Sequence, residues 1–241
     1  MKIALQLYTL AGLDTLSMEQ KLSAAAAAGY DGVEFAGYGG LTAAELKGLL
    51  ERCGLEAAGT HIGYDALKSN PAQAAAFAKE LGCKSAVVPY AQFETAEQWR
   101  AFGAELERFG QLFRDEGLLF GYHNHAHEFQ KIGGAFIIDL LFEQTLPEHV
   151  LFEMDTFWVV RGGEDPAAWA KKYADRMPLL HAKEPDQDGR DTEIGCGVID
   201  FPAVVQAAGN VEWLIVEQEE FDRPPLESIQ ISCDNLKRRF Q

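Results

Sequence analysis

The most constraining feature of the sequence is a regular alternation of short apolar runs with helix-like stretches. Each run has four or five residues, which is the length of a short buried strand. Parallel strands that are covered on both faces appear as such continuous runs, and they need a helix-sized crossover between them. The pattern therefore predicts repeated βα units, with strands at residues 3–7, 32–35, 56–60, 85–88, 118–122, 150–154, 178–181 and 213–216.

Helix signals lie between these runs. The stretches 16–28, 42–53 and 95–116 are alanine-rich or carry apolar residues at helical spacing, and Thr42 opens a capping box. Asp165 and Asp200 each precede a helix start that contains proline, so we expect both to be N-caps. Five glycines are expected to end the helices that precede strands: Gly29, Gly54, Gly82, Gly117 and Gly209.

The number of units favours a closed barrel. Eight βα units in 241 residues, without an obvious linker, predict an α/β protein with a single (β/α)8 TIM barrel over residues 1–241. An open doubly wound sheet is the alternative. It is disfavoured because Gln6-Leu7-Tyr8-Thr9 stands where a dinucleotide-binding sheet would have a glycine-rich turn.

Composition and charge narrow the class of protein. With 47% hydrophobic and 24% charged residues, we expect a soluble globular domain. A net charge of −16 opposes nucleic-acid binding. No apolar run is long enough to span a membrane, the first residues do not read as a signal peptide, and the four cysteines are widely spaced. We therefore expect a cytoplasmic protein with reduced thiols and no nucleic-acid or membrane partner, in which outward apolar helices could pair two barrels as a homo-oligomer.

Residues suited to metal or acid–base chemistry collect at the ends of the predicted strands. In a TIM barrel this is the end that carries the active site. Five of the six histidines lie at or just beyond strand ends, and only His149 precedes a strand. The strand-end residues are Glu34, His61, His123, His125, His127, Asp155, His181 and Glu217.

Two imidazoles and two carboxylates among them predict a metal centre. His123, Asp155, His181 and Glu217 follow strands five to eight and would converge on one side of the barrel mouth. This mixture of ligands suits one divalent ion such as Mn, Co, Zn or Mg. Each residue alone is more readily explained as a hydrogen-bonding group, so the prediction depends on the four together.

Around these residues the sequence resembles the sugar phosphate isomerase/epimerase family, which has the xylose-isomerase-like TIM barrel and is related in fold to endonuclease IV. The resemblance spans nearly the whole chain, and its segments follow one another in the expected order. They are GYDGVE at 29–34, GYHNH at 121–125, EF at 128–129, FEMDTFW at 152–158, HAKE at 181–184, GCGVID at 195–200 and IVEQ at 215–218.

The resemblance implies a ligand set of glutamate, aspartate, histidine and glutamate from strands five to eight. Asp155, His181 and Glu217 match the last three, whereas His123 stands where many relatives have glutamate. In such enzymes the two glutamates can act as acid and base. The histidine therefore removes one carboxylate base, and we expect Glu128 or His125 to supply the lost function.

The remaining roles follow from the chemistry of a metal-bound keto-sugar. A metal that chelates the ketone oxygen and a neighbouring hydroxyl stabilises the enediolate formed when the α-proton leaves. We expect Glu217 to be the acid–base group, with His125 as the second choice. Lys183 points into the same mouth, where it would stabilise an oxyanion or a phosphate, or pair with Glu34 or Glu153.

Four residues are expected to contact the substrate. Glu34 and His61 are placed to hydrogen-bond sugar hydroxyls, and Trp158 could form an apolar wall. Glu128 would contribute if its loop folds back over the mouth, and otherwise it anchors that loop.

The leading functional hypothesis is a divalent-metal-dependent isomerase or epimerase that acts on a keto-sugar or sugar derivative through an enediolate. The alternative is a lyase or dehydratase of a 3-keto-glycoside or an inosose, which His123 favours. A DNA endonuclease would need more metal ligands and a surface that tolerates DNA. A non-enzymatic sugar-binding barrel would bind no metal.

Overall fold

Eight parallel strands close into a barrel in the computed structural model, which describes residues 1–240. We number the barrel strands β1 to β8 in chain order. Going around the barrel, each strand pairs with its neighbours in sequence, and β1 closes against β8. The strands are β1 Lys2–Gln6, β2 Gly32–Phe35, β3 Glu56–His61, β4 Ser85–Val88, β5 Leu119–His123, β6 Leu151–Asp155, β7 Leu179–Ala182 and β8 Trp213–Val216.

Ten α-helices lie among the described residues, in the crossovers and after β8. They are α1 Met18–Ala28, α2 Ala43–Cys53, α3 Tyr64–Ser69, α4 Pro71–Leu81, α5 Ala96–Asp115, α6 Ile137–Phe142, α7 Thr156–Arg161, α8 Pro166–Lys172, α9 Phe201–Ala208 and α10 Pro225–Phe240. Two small hairpins decorate the loops: Lys131–Ile132 pairs with Ala135–Phe136, and Glu184–Pro185 pairs with Asp191–Thr192.

The predicted fold class is confirmed, and each predicted strand lies within one residue of its observed bounds. Local signals at the helix ends also hold. Thr42 makes the capping box, Asp165 and Asp200 cap α8 and α9, and Gly29 and Gly54 end α1 and α2 in the left-handed conformation. Within the described residues, no helix combines the length and the apolarity that a membrane crossing requires.

The barrel has two apolar regions. The larger lies between the outer faces of the strands and the helices. The smaller fills the N-terminal half of the barrel interior, where all of its members are at most 4% exposed. This interior cluster consists of Ala4, Ala58, Val87, Leu179, Trp213 and Ile215.

The interior changes from apolar to polar or charged within two residues along a strand. Alternate strand residues point to the same face, so Gln6 follows Ala4, His181 follows Leu179, and Glu217 follows Ile215 towards the C-terminal end. The strands therefore deliver their charged residues to one end of the barrel.

Candidate metal centre

The four residues that the sequence proposes as metal ligands come together. His123, Asp155, His181 and Glu217 each offer a donor atom, and these atoms all lie within 4.8 Å of one another. His181 Nδ1 lies 3.1 Å from Glu217 Oε2, and His123 Nε2 lies 4.0 Å from Asp155 Oδ2. The strand register brings this about, because Asp155 on β6 pairs with His181 on β7.

Asp155 is oriented by the helix that it starts. Its Oδ1 accepts a hydrogen bond of 3.0 Å from the backbone N–H of Trp158 and so caps α7. Its Oδ2 is buried and has no hydrogen-bond partner. One carboxylate oxygen therefore holds the side chain in place while the other is directed at the cluster.

Asn124 joins the ends of β5 and β6 behind the cluster. Its Oδ1 accepts from the backbone N–H of Asp155 at 2.9 Å, and its Nδ2 donates to the Asp155 carbonyl at 3.3 Å. The side chain is fully buried. Asn124 binds both the backbone N–H and the backbone carbonyl of Asp155. Because Asn124 directly follows His123, these two bonds hold His123 and Asp155 at a defined separation.

A second set of acceptors and imidazoles lies one layer deeper in the barrel. Glu153 Oε2 is 2.8 Å from His61 Nε2 and 3.3 Å from both His123 Nδ1 and His181 Nε2. Glu34 Oε2 is 2.8 Å from His181 Nε2 and 3.2 Å from His61 Nε2. Both carboxylates are completely buried.

The sequence analysis did not identify Glu153 as part of this site. It stands two residues before Asp155, so in a strand both side chains point into the barrel, and β6 places Glu153 opposite His123 on β5. The two-residue spacing was a usable signal. The sequence did not show that the barrel interior is already charged at that depth.

Glu34 needs room that only a glycine provides. A Cβ on Gly59 of the neighbouring strand would lie 2.7 Å from Glu34 Oε1 and 2.5 Å from Ser85 Oγ. The pairing of β2 with β3 is irregular at this point, between Val33 and Glu34. The close approach of strand and carboxylate therefore requires glycine.

The charges of the deeper layer compensate one another. Burial alone would lower the pKa of His61, but the Glu34 and Glu153 carboxylates raise it to about 10. Burial and the Glu34 charge would raise the pKa of Glu153, yet His181 and His61 lower it to about 2. Both carboxylates thus stay ionised and favour positive charge at the centre of the barrel.

Near the mouth the balance differs between residues. Burial and the positive charges nearby lower the pKa of His123, which keeps this imidazole neutral and able to bind a metal. Burial would raise the pKa of Glu217, but the Lys183 ammonium and a hydrogen bond with His181 lower it to about 2. Burial raises the pKa of Asp155 to about 7, although Lys183 opposes this shift.

Lys183 is paired, but with a residue that the sequence analysis did not name. Its ammonium binds Glu219 rather than Glu34 or Glu153. It also lies 5.3 Å from the ring centre of Phe157 and 5.1 Å from that of Trp158. The side chain is therefore held beside the mouth, close enough to lower the pKa of Glu217.

His125 lies at the mouth and is neutral. Burial lowers its pKa to about 4, and its Nδ1 has no hydrogen-bond partner. The rings of Tyr90 and Trp158 are 5.3 and 5.2 Å from the imidazole. An unprotonated imidazole with a free nitrogen can accept a proton.

Glu128 anchors the loop that carries His125. Its Oε1 accepts from the Tyr122 hydroxyl at 2.6 Å, and its Oε2 accepts from the backbone N–H of His125 at 2.9 Å. The side chain is fully buried. Of the two roles considered for Glu128 in the sequence, its position matches the loop anchor.

A cavity of about 500 Å³ opens above the cluster. Four residues predicted from the sequence line its wall: His61, His123, His125 and Glu217. Three predicted substrate contacts, Glu34, Glu128 and Trp158, are not among the lining residues in the described part of the chain. The lining residues are Tyr8, Ala36, Gly37, His61, Gly63, Pro89, Tyr90, His123, His125, Glu217 and Glu219.

The residues fit a divalent cation. Asp155 Oδ2 is buried without a hydrogen-bond partner, and buried polar atoms are normally paired. The imidazoles of His123 and His181 with two carboxylates form the mixed nitrogen and oxygen ligand set that first-row divalent metals accept. A cation would also offset the charges of Asp155 and Glu217.

Comparisons with known proteins agree with this fold. The model of the xylose isomerase-like TIM barrel family matches residues 22–239. A crystal structure of a sugar phosphate isomerase/epimerase from Parabacteroides distasonis ATCC 8503 is 25% identical and superposes with a TM-score of 0.86 over 98% of this chain and 93% of that one. The crystal structure of a protein named IOLI, which has a bound zinc atom, superposes with a TM-score of 0.78 over 99% and 97% of the two chains; at 14% identity this likeness shows the fold alone.

A curated relative is the inosose dehydratase of Lacticaseibacillus casei. It is 30% identical over 147 residues, which cover 52% of this chain and 49% of the relative. The chain thus spans about half the length of the curated relative that it matches.

Proposed function

Because the chain belongs to the xylose isomerase-like TIM barrel family, we propose that it is a metal-dependent enzyme that removes the proton next to the carbonyl of a keto-sugar and then eliminates water or an alcohol. The substrate class is a 3-keto-glycoside or a cyclic keto-polyol such as an inosose. Support comes from the chemistry of the mouth and from the likeness to an inosose dehydratase.

His123, Asp155, His181 and Glu217 would hold the metal, an ion such as Mn, Co, Zn or Mg. When bound, the ion supplies Lewis acidity that favours loss of a proton beside the substrate carbonyl. The side chains of this chain then bind the substrate and move the proton.

One observation carries the choice of elimination: His125 is the neutral imidazole of the cavity wall that is not among the proposed metal ligands. With its pKa lowered to about 4 by burial, His125 is unprotonated at neutral pH, and its free nitrogen is the acceptor for the substrate proton in this proposal. Glu217, which lines the same cavity, has a pKa of about 2 and is ionised, so it is a poor proton donor. Glu217 is therefore not available to return a proton to the substrate carbon.

The proposed reaction uses His125 twice. The imidazole takes the proton from the carbon beside the ketone, and the electron pair moves towards the carbonyl oxygen. The pair then returns to form a carbon–carbon double bond while the bond from the β-carbon to its oxygen breaks. The imidazolium gives its proton to the departing oxygen, which leaves as water or an alcohol, so protons and electrons balance.

Isomerisation or epimerisation is the second candidate. It starts with the same proton abstraction but returns the proton to carbon. The likeness to a sugar phosphate isomerase/epimerase over almost the whole chain favours it. Glu217 would then have to be protonated in the substrate complex.

Reaction in deuterated water separates these candidates. Metal-loaded protein is incubated with an inosose and with a 3-keto-glucoside, and the products are followed by NMR. We expect wild type to release water or aglycone. His125→Ala should catalyse this release about 10²- to 10⁴-fold more slowly, with no change in metal content. Deuterium in an intact sugar skeleton would instead support isomerisation or epimerisation.

Two controls complete the experiment. His149→Ala changes a histidine that is bound to Glu107, remote from the mouth, and should react like wild type. If wild type neither binds metal nor responds to chelation, a non-enzymatic sugar-binding barrel replaces the proposal.

A further inference from the structure

Each of the two imidazoles in the cluster presents its nitrogens to different layers of the barrel. His181 Nδ1 faces Glu217 at 3.1 Å, while its Nε2 faces Glu34 at 2.8 Å. His123 Nε2 faces Asp155 at 4.0 Å, while its Nδ1 faces Glu153 at 3.3 Å. One nitrogen of each ring is therefore available to a metal at the mouth, and the other is directed at a deeper carboxylate.

We infer that Glu34 and Glu153 are positioning residues that determine which nitrogen of each imidazole binds the metal. Glu34 takes the Nε2–H of His181 and leaves Nδ1 as the ligand. In the metal-loaded centre Glu153 Oε2, which lies 3.3 Å from His123 Nδ1, takes the Nδ1–H of that ring and leaves Nε2 as the ligand. This inference rests on the proposed metal centre, because it describes how two of the ligands of that centre are oriented.

Carboxylates in this position have a defined effect on metal ligands. A carboxylate that accepts the second N–H of a ligating histidine fixes the tautomer and the ring orientation, and it makes the ligating nitrogen more basic. Glu34 and Glu153 are completely buried, so they keep their partners without competition from water. Neither lines the cavity, which separates them from groups that touch substrate.

A competing arrangement would place the ion in the deeper layer. The donor atoms of His61, His123, Glu153 and His181 also lie within 4.8 Å of one another. There His181 would bind through Nε2 and His123 through Nδ1, so the two arrangements use opposite nitrogens. One neutral imidazole cannot give both nitrogens to metals, because one of them carries a proton.

Gln6 disfavours the deeper arrangement. Its Oε1 accepts from the backbone N–H of Tyr8 at 3.0 Å, which directs the amide nitrogen into the barrel. That nitrogen lies 2.7 Å from Glu34 Oε2 and 3.4 Å from His61 Nδ1. His61 Nε2 itself lies 2.8 Å from Glu153 Oε2 and 3.2 Å from Glu34 Oε2, so it carries a proton, and a protonated nitrogen cannot bind a metal.

Nitrogen-15 NMR of the full chain, labelled at histidine and loaded with zinc, tests the inference directly. We expect the Nδ1 of His181 and the Nε2 of His123 to show zinc-bound shifts, with protons on the other two nitrogens. Zinc on His181 Nε2 and His123 Nδ1 would overturn the inference and support the deeper arrangement.

Metal affinity provides the second measurement. Glu34→Gln and Glu153→Gln keep the side-chain shape but weaken the acceptor, and each should bind zinc about 10–100-fold more weakly in competition with a chelator. Glu184→Gln is the matched control, since Glu184 is equally buried but accepts only from backbone N–H groups such as that of Ile199 at 2.9 Å. Its affinity should match that of wild type.

The outcomes separate this inference from the proposed function. If wild type binds zinc and both glutamine variants bind it as tightly as Glu184→Gln does, the positioning role is wrong while the metal centre stands. If wild type binds no zinc, both are wrong. The NMR result on wild type remains decisive if a glutamine variant fails to fold.

Discussion

The two ends of the barrel interior are made by the same strands and have opposite chemistry. Towards the N-terminal end, Leu179 and Ile215 pack in a buried apolar cluster. Two residues further along the same strands, His181 and Glu217 lie in a buried network of charges. The period of two residues in a strand makes this abrupt change possible, because successive inward side chains need not resemble each other.

The difference between the ends concerns stability as well as chemistry. Burying the apolar cluster stabilises the fold. Burying carboxylates and imidazoles costs free energy unless they are paired. The apolar end thus contributes stability that offsets the cost of burying charged groups at the other end, where they are arranged for binding. The predictions below test this division of roles.

The largest expected effect is on metal binding at the charged end. Asp155→Ala removes both a proposed ligand and the N-cap of α7, so zinc affinity should fall by more than the roughly 10–100-fold expected for loss of an outer partner. Asp165→Ala is the matched control because Asp165 caps α8 without touching the cluster. It should cost about 0.5–2 kcal/mol of stability and leave zinc stoichiometry unchanged. Equal zinc binding by both variants would contradict the assignment of metal binding to the charged end of the barrel.

At the apolar end, the expected effect is on stability alone. Ile215→Ala leaves a cavity in the interior cluster, and the free energy of unfolding should fall by about 2–5 kcal/mol. Denaturant titration measures this loss. Zinc stoichiometry under native conditions should remain that of wild type. A folded variant without zinc would show that the two ends are not independent.

A third prediction concerns pH and the cost of charge at the mouth. Burial raises the pKa of Asp191 to about 7, against the lowering effect of Lys183, while the unfolded value is near 3.8. The folded state therefore holds the proton more tightly. The contribution of the protonated Asp191 side chain to the stability of the fold is complete below about pH 3.8 and is lost as the pH rises through about 7.

Asp191→Asn removes this titration. The variant should gain stability relative to wild type as the pH rises from about 4 to 7, by up to a few kcal/mol, since one pKa unit corresponds to about 1.4 kcal/mol. Unfolding measured in metal-free buffer across this range gives the difference. A difference that is constant with pH, or that shrinks as the pH rises, would exclude a buried charge as the cause.

The smallest expected effect lies where the two ends meet. Gly59→Ala places a Cβ within 2.7 Å of Glu34 Oε1 and 2.5 Å of Ser85 Oγ, so overpacking should cost about 1–3 kcal/mol. Displacing Glu34 should also weaken zinc binding. Gly48→Ala, within α2 and 3.7 Å from the nearest neighbouring atom, should instead stabilise the chain slightly. Thermal unfolding and zinc titration of the pair test both points.

Much of the site was predictable because it depends on strand ends. Asp155, His181 and Glu217 each follow a short apolar run, and the closure of a parallel barrel brings such residues to one mouth. Capping signals were equally local, as Thr42 and Asp165 show. A residue that acts through its own strand or helix end can be read without knowing its neighbours.

Residues that depend on depth and neighbours could not be read in this way. Glu153 joins the cluster because the register sets it opposite His123, and Glu128 anchors a loop because Tyr122 and a backbone N–H reach it. Lys183 binds Glu219, which comes from the loop after β8. None of these partners follows from spacing along the chain.

The sequence by itself determined the eight βα units, the end of the barrel that carries the polar residues and the four candidate ligands. The tertiary structure decided how deep each charged side chain lies and which nitrogen of each imidazole faces the mouth. The physical reason is that alternation along a strand is a local property. The stagger between strands, the irregular pairing beside Gly59 and the pairing of buried charges arise only when the barrel closes.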